Sequence, residues 1–324
     1  MDSEEIKSET ILEIEGLKTY YPTSRGMVKA VDDVTLNVHR SEFLGVVGES
    51  GSGKSTLGFS VLRLIPPPGR ILDGSIQFEG IDILRLSNEE MRRLRGRKFG
   101  MIFQDPMTSL DPLLRIGEHI IETLCLHSDM SKKEAKTRAT ELLDLVGIGS
   151  ERFDDYPHQF SGGMRQRVMI ALAICLDPSL VIADEPTTAL DVIVQARILD
   201  LISSLRKKYG LTLMLISHDL AAVIERCDTL AVMYAGQIVE YGTRRQIGKE
   251  PLHPYTQGLL KSTPNVRLVG AKASFITGPV PDMTQPPLGC RFHPRCPHAM
   301  EACRTTEPTV RRLDDNRVVR CHLY

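Results

Sequence analysis

The residues with the clearest chemical meaning are Gly48-Glu49-Ser50-Gly51-Ser52-Gly53-Lys54-Ser55. Their spacing is G-x-x-x-x-G-K-[ST], and an apolar run (Phe43 to Val47) precedes them. A strand, a glycine-rich turn and a helix start in that order make a cradle for phosphate. A polyphosphate is crowded with anionic oxygens, so the backbone must approach closely and present N–H groups. Gly48, Gly51 and Gly53 carry no Cβ to block that approach. The amides from Gly51 through Thr56, with Ser50 and Ser52 in the turn, can then line an anion site at a helix N-terminus. Lys54 supplies a point charge and Ser55 a hydroxyl for Mg²⁺. The loop leaves the use of the nucleotide open, since kinases, GTPases and transport ATPases share it.

Two further clusters narrow the chemistry. Asp184-Glu185 ends the apolar run Leu180-Val181-Ile182-Ala183. Strand ends are where α/β proteins place ligands. Asp184 suits Mg²⁺ held through its water shell, and Glu185 suits a general base for attacking water. Ser161-Gly162-Gly163-Met164 heads a helical stretch. Two glycines and a serine at a helix N-terminus make a second anion site, facing either the same nucleotide or that of another subunit. A third cluster, Cys290, Cys296, Cys303 and Cys321, holds four of the seven cysteines. In a reducing compartment four such thiols predict a metal site rather than disulfides. Their spacing fits neither the close pairs of zinc ribbons nor a ferredoxin run, so the metal stays open.

These residues need a scaffold that alternates strand and helix. Strands are expected over 11–17, 28–38, 43–47, 74–80, 99–103, 180–185 and 211–216, with turn residues over 66–75 and a hairpin around Ala235-Gly236. Helices are expected over 116–126, 132–146, 151–160, 161–176, 192–209 and 220–225. The alternation implies an α/β fold with a mostly parallel sheet. Residues 107–160 read as a helical insert, and the proline-rich stretch beyond about residue 241 as a small, irregular extension. Net charge is −1, from 40 basic and 41 acidic residues, which argues against a dedicated nucleic-acid binder. No apolar run approaches the roughly 20 residues of a membrane span. Residues 1–10 carry no apolar signal segment, so a cytosolic chain is expected.

Gly48 to Ser55, Gln104, Ser161 to Met164, Leu180 to Glu185, Ala189-Leu190-Asp191 and His218 occur in the order and rough spacing of ATP-binding cassette (ABC) ATPases. The resemblance covers about residues 11–245 and implies the P-loop ATPase core with an antiparallel β edge. A cassette over 1–245 with a helical subdomain over about 105–165 follows, and 246–324 is an extension. Head-to-tail pairing of two cassettes is implied, each site combining Lys54 of one chain with Ser161, Gly162, Gly163 and Met164 of the other. Gln104 would sense Mg²⁺ and the γ-phosphate, His218 would position water and Glu185, and Asp191 would couple the two sites. Tyr21 falls at the adenine-stacking position, with Tyr20 as the fallback. Phe160 and Met164 depart from the family's usual Leu and Gln, while the phosphate-facing Ser161 and glycines are intact.

The stretches His253 to Leu260 and Gly289 to Pro297 resemble the tail of ATPases from di- and oligopeptide importers. That resemblance implies a [4Fe-4S] cluster on Cys290, Cys296, Cys303 and Cys321, with zinc as the alternative and Arg291, Arg295, Arg304 and Arg320 offsetting its charge. It also implies two integral-membrane permease subunits, a homologous or identical ATPase subunit and, indirectly, an extracytoplasmic substrate-binding protein. The chain would sit peripherally on the cytoplasmic face of the membrane. Short peptides are the expected cargo, with oligosaccharides or nickel as alternatives. A soluble ABC ATPase acting on ribosomes or DNA is a competing class, disfavoured by a single cassette without a coiled-coil insert. A redox protein is a third class, disfavoured because no second redox cofactor signature is present.

Overall fold

The computed structural model describes residues 9–262, 276–313 and 316–324. Its contacts divide the chain into two units, Met1–Arg85 with Leu215–Tyr324, and Leu86–Met214.

The first unit opens with β1 (Thr10–Thr23) and β2 (Gly26–His39), a long antiparallel hairpin closed where Thr23 meets Gly26. Leu12 and Ile14 are buried while Glu13 and Glu15 are exposed, the period-two pattern of a strand covered on one face. Next come the fully buried β3 (Phe43–Val47), α1 (Lys54–Val61), β4 (Arg70–Phe78) and the short β5 (Ile81–Asp82). These build an antiparallel sheet in the order β2-β1-β4-β5. Local turn chemistry predicts a loop up to residue 75, yet β4 begins at Arg70 because that residue pairs with Tyr20 of β1. Cross-strand pairing overrides local preference there.

The second unit holds α2 (Asn88–Arg97), β6 (Phe99–Ile102), α3 (Pro106–Ser109), α4 (Ile116–His127), α5 (Lys132–Leu145), α6 (Gly162–Ile174), β7 (Leu180–Asp184) and α7 (Val192–Tyr209). Strands β6 and β7 are parallel, with Phe99 opposite Leu180 and Ile102 opposite Ala183. Ser131 caps α5 as its sequence predicts, accepting from the Glu134 N–H while the Glu134 carboxylate returns to the Ser131 N–H. The helix expected over 151–160 is absent. Two 3₁₀ turns, Ser150–Arg152 and Pro157–Gln159, stand there instead. Pro157 forces the residue before it out of the helical region, and Tyr156 is extended at φ −97°, ψ 156°.

The chain returns to the first unit within β8 (Thr212–Ser217). Then follow α8 (Leu220–Arg226), β9 (Thr229–Tyr234), β10 (Gln237–Thr243), α9 (Arg244–Lys249), α10 (Pro254–Ser262), α11 (Glu301–Thr305), β11 (Val310–Arg312) and β12 (Val318–Arg320). Strand β9 lies parallel to β3 and antiparallel to β10. Strands β12 and β11 extend that edge by antiparallel pairing. The C-terminal region therefore carries more regular structure than its prolines predict. Its two strands are three residues each, too short for alternation to show, and only pairing defines them, β12 with the distant β10 and β11 with β12.

An aromatic knot joins this region to the core. The Tyr234 and Tyr255 rings lie 4.5 Å apart, and Phe292 meets Tyr234 nearly edge-on at 5.2 Å and 87°. Edge-to-face contact suits the ring quadrupoles and adds to the burial term. Beside the knot, the wholly buried carboxylate of Glu240 accepts from the Leu252 and His253 N–H groups at 2.8 and 3.0 Å and from Arg317 at 2.9 Å.

His253 carries a pH dependence. Its ring is buried, Nδ1 accepts from the Tyr255 N–H at 3.0 Å, and burial pushes its pKa down from 6.5 to about 3. In the unfolded chain the ring takes a proton below about pH 6.5. The folded chain resists that proton, so its stability is full above that value and is lost as pH falls toward 3. The slope is at most roughly 1.4 kcal/mol per pH unit from this group. Thermal melts of wild type and His253→Gln from pH 7.5 to 5 check it: the wild type is expected to lose more Tm than the variant, and parallel curves would contradict it.

Candidate functional site

In the first unit the phosphate loop runs from the end of β3 into α1. Gly53 is the N-cap of α1 at φ +103°, with no side-chain cap. A Cβ on Gly53 would stand 1.9 Å from the Ala30 carbonyl oxygen, and one on Gly48 would stand 2.1 Å from that of Met233. Both positions demand glycine because backbone passes where a side chain would go. Lys54 is buried, and its Nζ donates to the Gly48 and Glu49 carbonyls, both at 2.9 Å. The loop carbonyls thus hold the ammonium that a polyphosphate would claim. The Ser52 hydroxyl is buried with no hydrogen-bond partner, an orphan in the middle of the cradle. Ser50, Gly51, Ser55 and Thr56 complete the loop. A glycine-rich backbone, a buried cation and an unsatisfied hydroxyl fit a nucleotide polyphosphate.

His218 lies in the same unit, exposed on the two-residue link between β8 and α8. Its neighbour Asp219 caps α8 through the Ala222 N–H at 3.1 Å. The aromatic candidates differ in setting. The Tyr20 hydroxyl donates to Asp32 at 2.5 Å, and burial, together with that carboxylate, raises its pKa. Tyr21 is half-buried, with its ring against Gly69, where a Cβ would meet it at 2.4 Å.

In the second unit Asp184 ends β7 at 2% exposure, and Glu185 follows it. Glu185 stands at φ +43°, a left-handed conformation that a non-glycine residue adopts at a cost of about 1 kcal/mol or more. Its carboxylate accepts from the Thr188 hydroxyl at 3.0 Å and the Gln104 amide at 3.4 Å. The backbone turn and those two donors fix where the carboxylate points. The structure brings Gln104 and Glu185 together. Thr188 is not among the residues the sequence singles out, though its place three residues after the acid is the readable clue.

Ser161 caps α6, accepting from the Met164 N–H at 3.3 Å. A Cβ on Gly163 would sit 2.6 Å from Val194 and one on Gly162 3.2 Å from Leu190. Gly163 therefore has a packing reason for being glycine beside any phosphate role. Asp191 caps α7, its carboxylate accepting from the Ile193 and Val194 N–H groups at 3.1 and 2.9 Å. Val192 and Ile193, at that helix start, are 80% and 67% exposed.

The four clustered cysteines lie in the C-terminal region. Cys290, Cys296, Cys303 and Cys321 are free thiols, and the Cys290 N–H donates to the Cys303 carbonyl at 2.9 Å. Burial pushes the Cys290 thiol up to about 11 and raises those of Cys296 and Cys321, with neighbouring cysteines adding to each shift. The four thiols lie close enough to act on one another electrostatically. Among the described residues no group of three or more His, Cys, Asp or Glu side chains is gathered so as to hold a metal ion. Three of the four neighbouring arginines reach elsewhere: Arg291 to Asp32 and the Ala235 carbonyl, Arg295 to Glu49, and Arg320 to Asp33. Each thus pairs with a carboxylate outside the cysteine cluster.

Comparison with known proteins adds the following. Residues 31–188 match the family described as ABC transporter, and residues 239–303 match the oligopeptide/dipeptide transporter C-terminal region. The chain is 47% identical to the oligopeptide transport ATP-binding protein AppD of Bacillus subtilis, covering 97% of each chain. It is 48% identical to the dipeptide transport ATP-binding protein DppD of Haemophilus influenzae, covering 96% of this chain and 95% of that one. Among solved structures, the ATP-binding cassette MJ0796, a dimer in a post-hydrolysis state bound to ADP and Pi, superposes with TM-score 0.66 at 28% identity. The match covers 72% of this chain and 99% of that one.

Proposed function

The chain belongs to the ABC transporter ATPases of the oligopeptide/dipeptide importer family, and on that premise we propose that its ATP hydrolysis powers uptake of di- or oligopeptides through partner membrane permeases. The observation that carries the reading is the phosphate loop: a close-packed glycine backbone around buried Lys54, with the Ser52 hydroxyl unsatisfied. Lys54 and the amides of Gly51 to Thr56 hold the phosphates. Ser55, Asp184 and Gln104 are the residues that would hold Mg²⁺, directly or through water, and the ion would supply charge neutralisation at the phosphates. Glu185 takes the proton of the attacking water, oriented by Thr188 and Gln104. His218 contacts the phosphate end, and Tyr21 stacks on adenine.

Two chains, or this chain and a homologous ATPase, complete the sites in trans through Ser161 to Met164, with Asp191 at the junction. The exposed apolar residues Val192 and Ile193 beside Asp191 support a covered face there. Exposed Met107 and Leu113, shortly after Gln104, support a docking surface for a permease loop. No helix among the described residues is long and apolar enough to cross a membrane. The chain acts peripherally on the cytoplasmic face, with an extracytoplasmic binding protein delivering cargo. Reconstitution of the native complex in vesicles tests the reading. Peptide uptake is expected only with ATP on the side carrying this subunit; ATP hydrolysis without peptide uptake would remove the cargo assignment.

The [4Fe-4S] proposal rests on the family resemblance and on the mutual proximity of the four thiols. Iron analysis of anaerobically purified protein is expected to give about four irons per chain and a brown colour lost in Cys296→Ser. Stoichiometric zinc, or a metal-free chain, would overturn it.

A further inference from the structure

We propose that Arg295 and Tyr255, both outside the cassette motifs, are positioning residues for the phosphate loop, so that the C-terminal region sets nucleotide affinity. The inference rests on the reading of Gly48 to Ser55 as the ATP site. Glu49, the second residue of that loop, is pinned at three points. Its N–H donates to the Tyr255 hydroxyl at 2.8 Å. Its carbonyl accepts from Lys54. Its carboxylate takes both arms of the Arg295 guanidinium, at 2.6 and 2.9 Å.

The two C-terminal residues are themselves fixed. Tyr255 is wholly buried in the aromatic knot with Tyr234 and Phe292. The Arg295 side chain is 5% exposed. Beyond Glu49 it donates to the Thr277 and Ile276 carbonyls at 3.2 and 3.5 Å and the Tyr234 hydroxyl at 3.4 Å, which uses its whole fork. Arg291, four residues earlier, bonds the Ala235 carbonyl, next to the Gly236 that donates to the Ser52 carbonyl at 2.9 Å. The stretch from Cys290 to Cys296 thus holds the loop's flank at more than one place.

A glycine-rich loop loses much conformational freedom when it wraps a phosphate. A tie that orders it beforehand raises the binding-competent fraction, and apparent affinity follows that fraction. Arg295 touches neither phosphate nor attacking water, so its effect should fall on binding rather than on chemistry. Binding linkage is reciprocal: nucleotide must in turn steady the C-terminal segment.

The full-length chain and its Arg295→Gln, Arg295→Lys and Tyr255→Phe variants are titrated with a fluorescent ATP analogue and assayed for hydrolysis over a range of ATP. In Arg295→Gln, Kd and KM are expected to rise about tenfold, the size of one lost charge-assisted bond. The rate at saturating ATP should change far less. Arg295→Lys, which keeps the charge and loses the fork, should fall between. Tyr255→Phe removes only the acceptor for the Glu49 N–H and should shift Kd in the same direction. Hydrogen exchange at residues 276–296 is expected to slow when nucleotide is added to the wild type. Folded variants that bind ATP as the wild type does, or exchange indifferent to nucleotide, would overturn the proposal. Should Arg295→Gln fail to fold, Glu49→Gln breaks the same ion pair from the loop side with the same expectation. A wild type that binds no ATP would instead overturn the proposed function, so the two failures are distinguishable.

Discussion

Glu185→Gln is expected to keep ATP binding and to lose roughly 10²- to 10⁴-fold in hydrolysis, the usual worth of a positioned general base. The substitution preserves shape and the possibility of accepting from Thr188 and Gln104, and removes only the proton acceptor. Bound ATP that cannot be cleaved should then hold two cassettes together. Size-exclusion chromatography of the variant with ATP and Mg²⁺ is expected to show a dimer absent without nucleotide, alongside a phosphate-release assay near background. Wild-type turnover in the variant would remove Glu185 as the base. The left-handed backbone at Glu185 supports the assignment, because strain at a non-glycine residue persists only where the surroundings hold it.

Lys54→Ala is expected to weaken ATP binding by roughly 100-fold or more, on the scale of charge-assisted hydrogen bonds lost from a buried site. Two effects combine. The cation at the phosphates disappears, and the Gly48 and Glu49 carbonyls lose the donor that holds the loop closed. Lys54→Arg should not restore affinity, because a planar fork does not reproduce a compact point charge in a space this tight. Titration with a fluorescent ATP analogue checks both. Affinity within threefold of wild type in Lys54→Ala would place the phosphates elsewhere.

Much of the site is legible in the sequence because its residues lie close together along the chain. Gly48 to Ser55 and Asp184-Glu185 are contiguous, and each sits at a strand end announced by a buried apolar run. The Ser131 cap is legible for the same reason, since its partner is three residues away. What stays hidden depends on distance. The Arg295–Glu49 pair spans 246 positions and the Arg291–Asp32 pair 259, and no local pattern announces either. The short strands β11 and β12 exist only through pairing, β12 with the distant β10 and β11 with β12. The misplaced helix at 151–160 is of another kind, because Pro157 is plain in the sequence and its effect on Tyr156 is local. The partners of Arg291, Arg295 and Arg320 are hidden for the same reason, because adjacency to the cysteines in sequence says nothing of where a long side chain turns. Those guanidiniums reach back to Asp32, Asp33 and Glu49.

The carboxylate of Glu240 bears on where the polypeptide can be cut. A shortened version ending near residue 245 keeps every nucleotide motif, and by sequence it looks like a tidy minimal ATPase. It would also strip Arg317 and the amides of Leu252 and His253 from an acid that is completely buried. Losing one partner of such a group typically costs about 3–5 kcal/mol, a large share of the stability of an ordinary domain. It would bare the edge of β10 as well, an open invitation to strand-on-strand aggregation. Such a truncation is expected to accumulate as inclusion bodies, and soluble, monodisperse material from it would show that the tail is dispensable for folding.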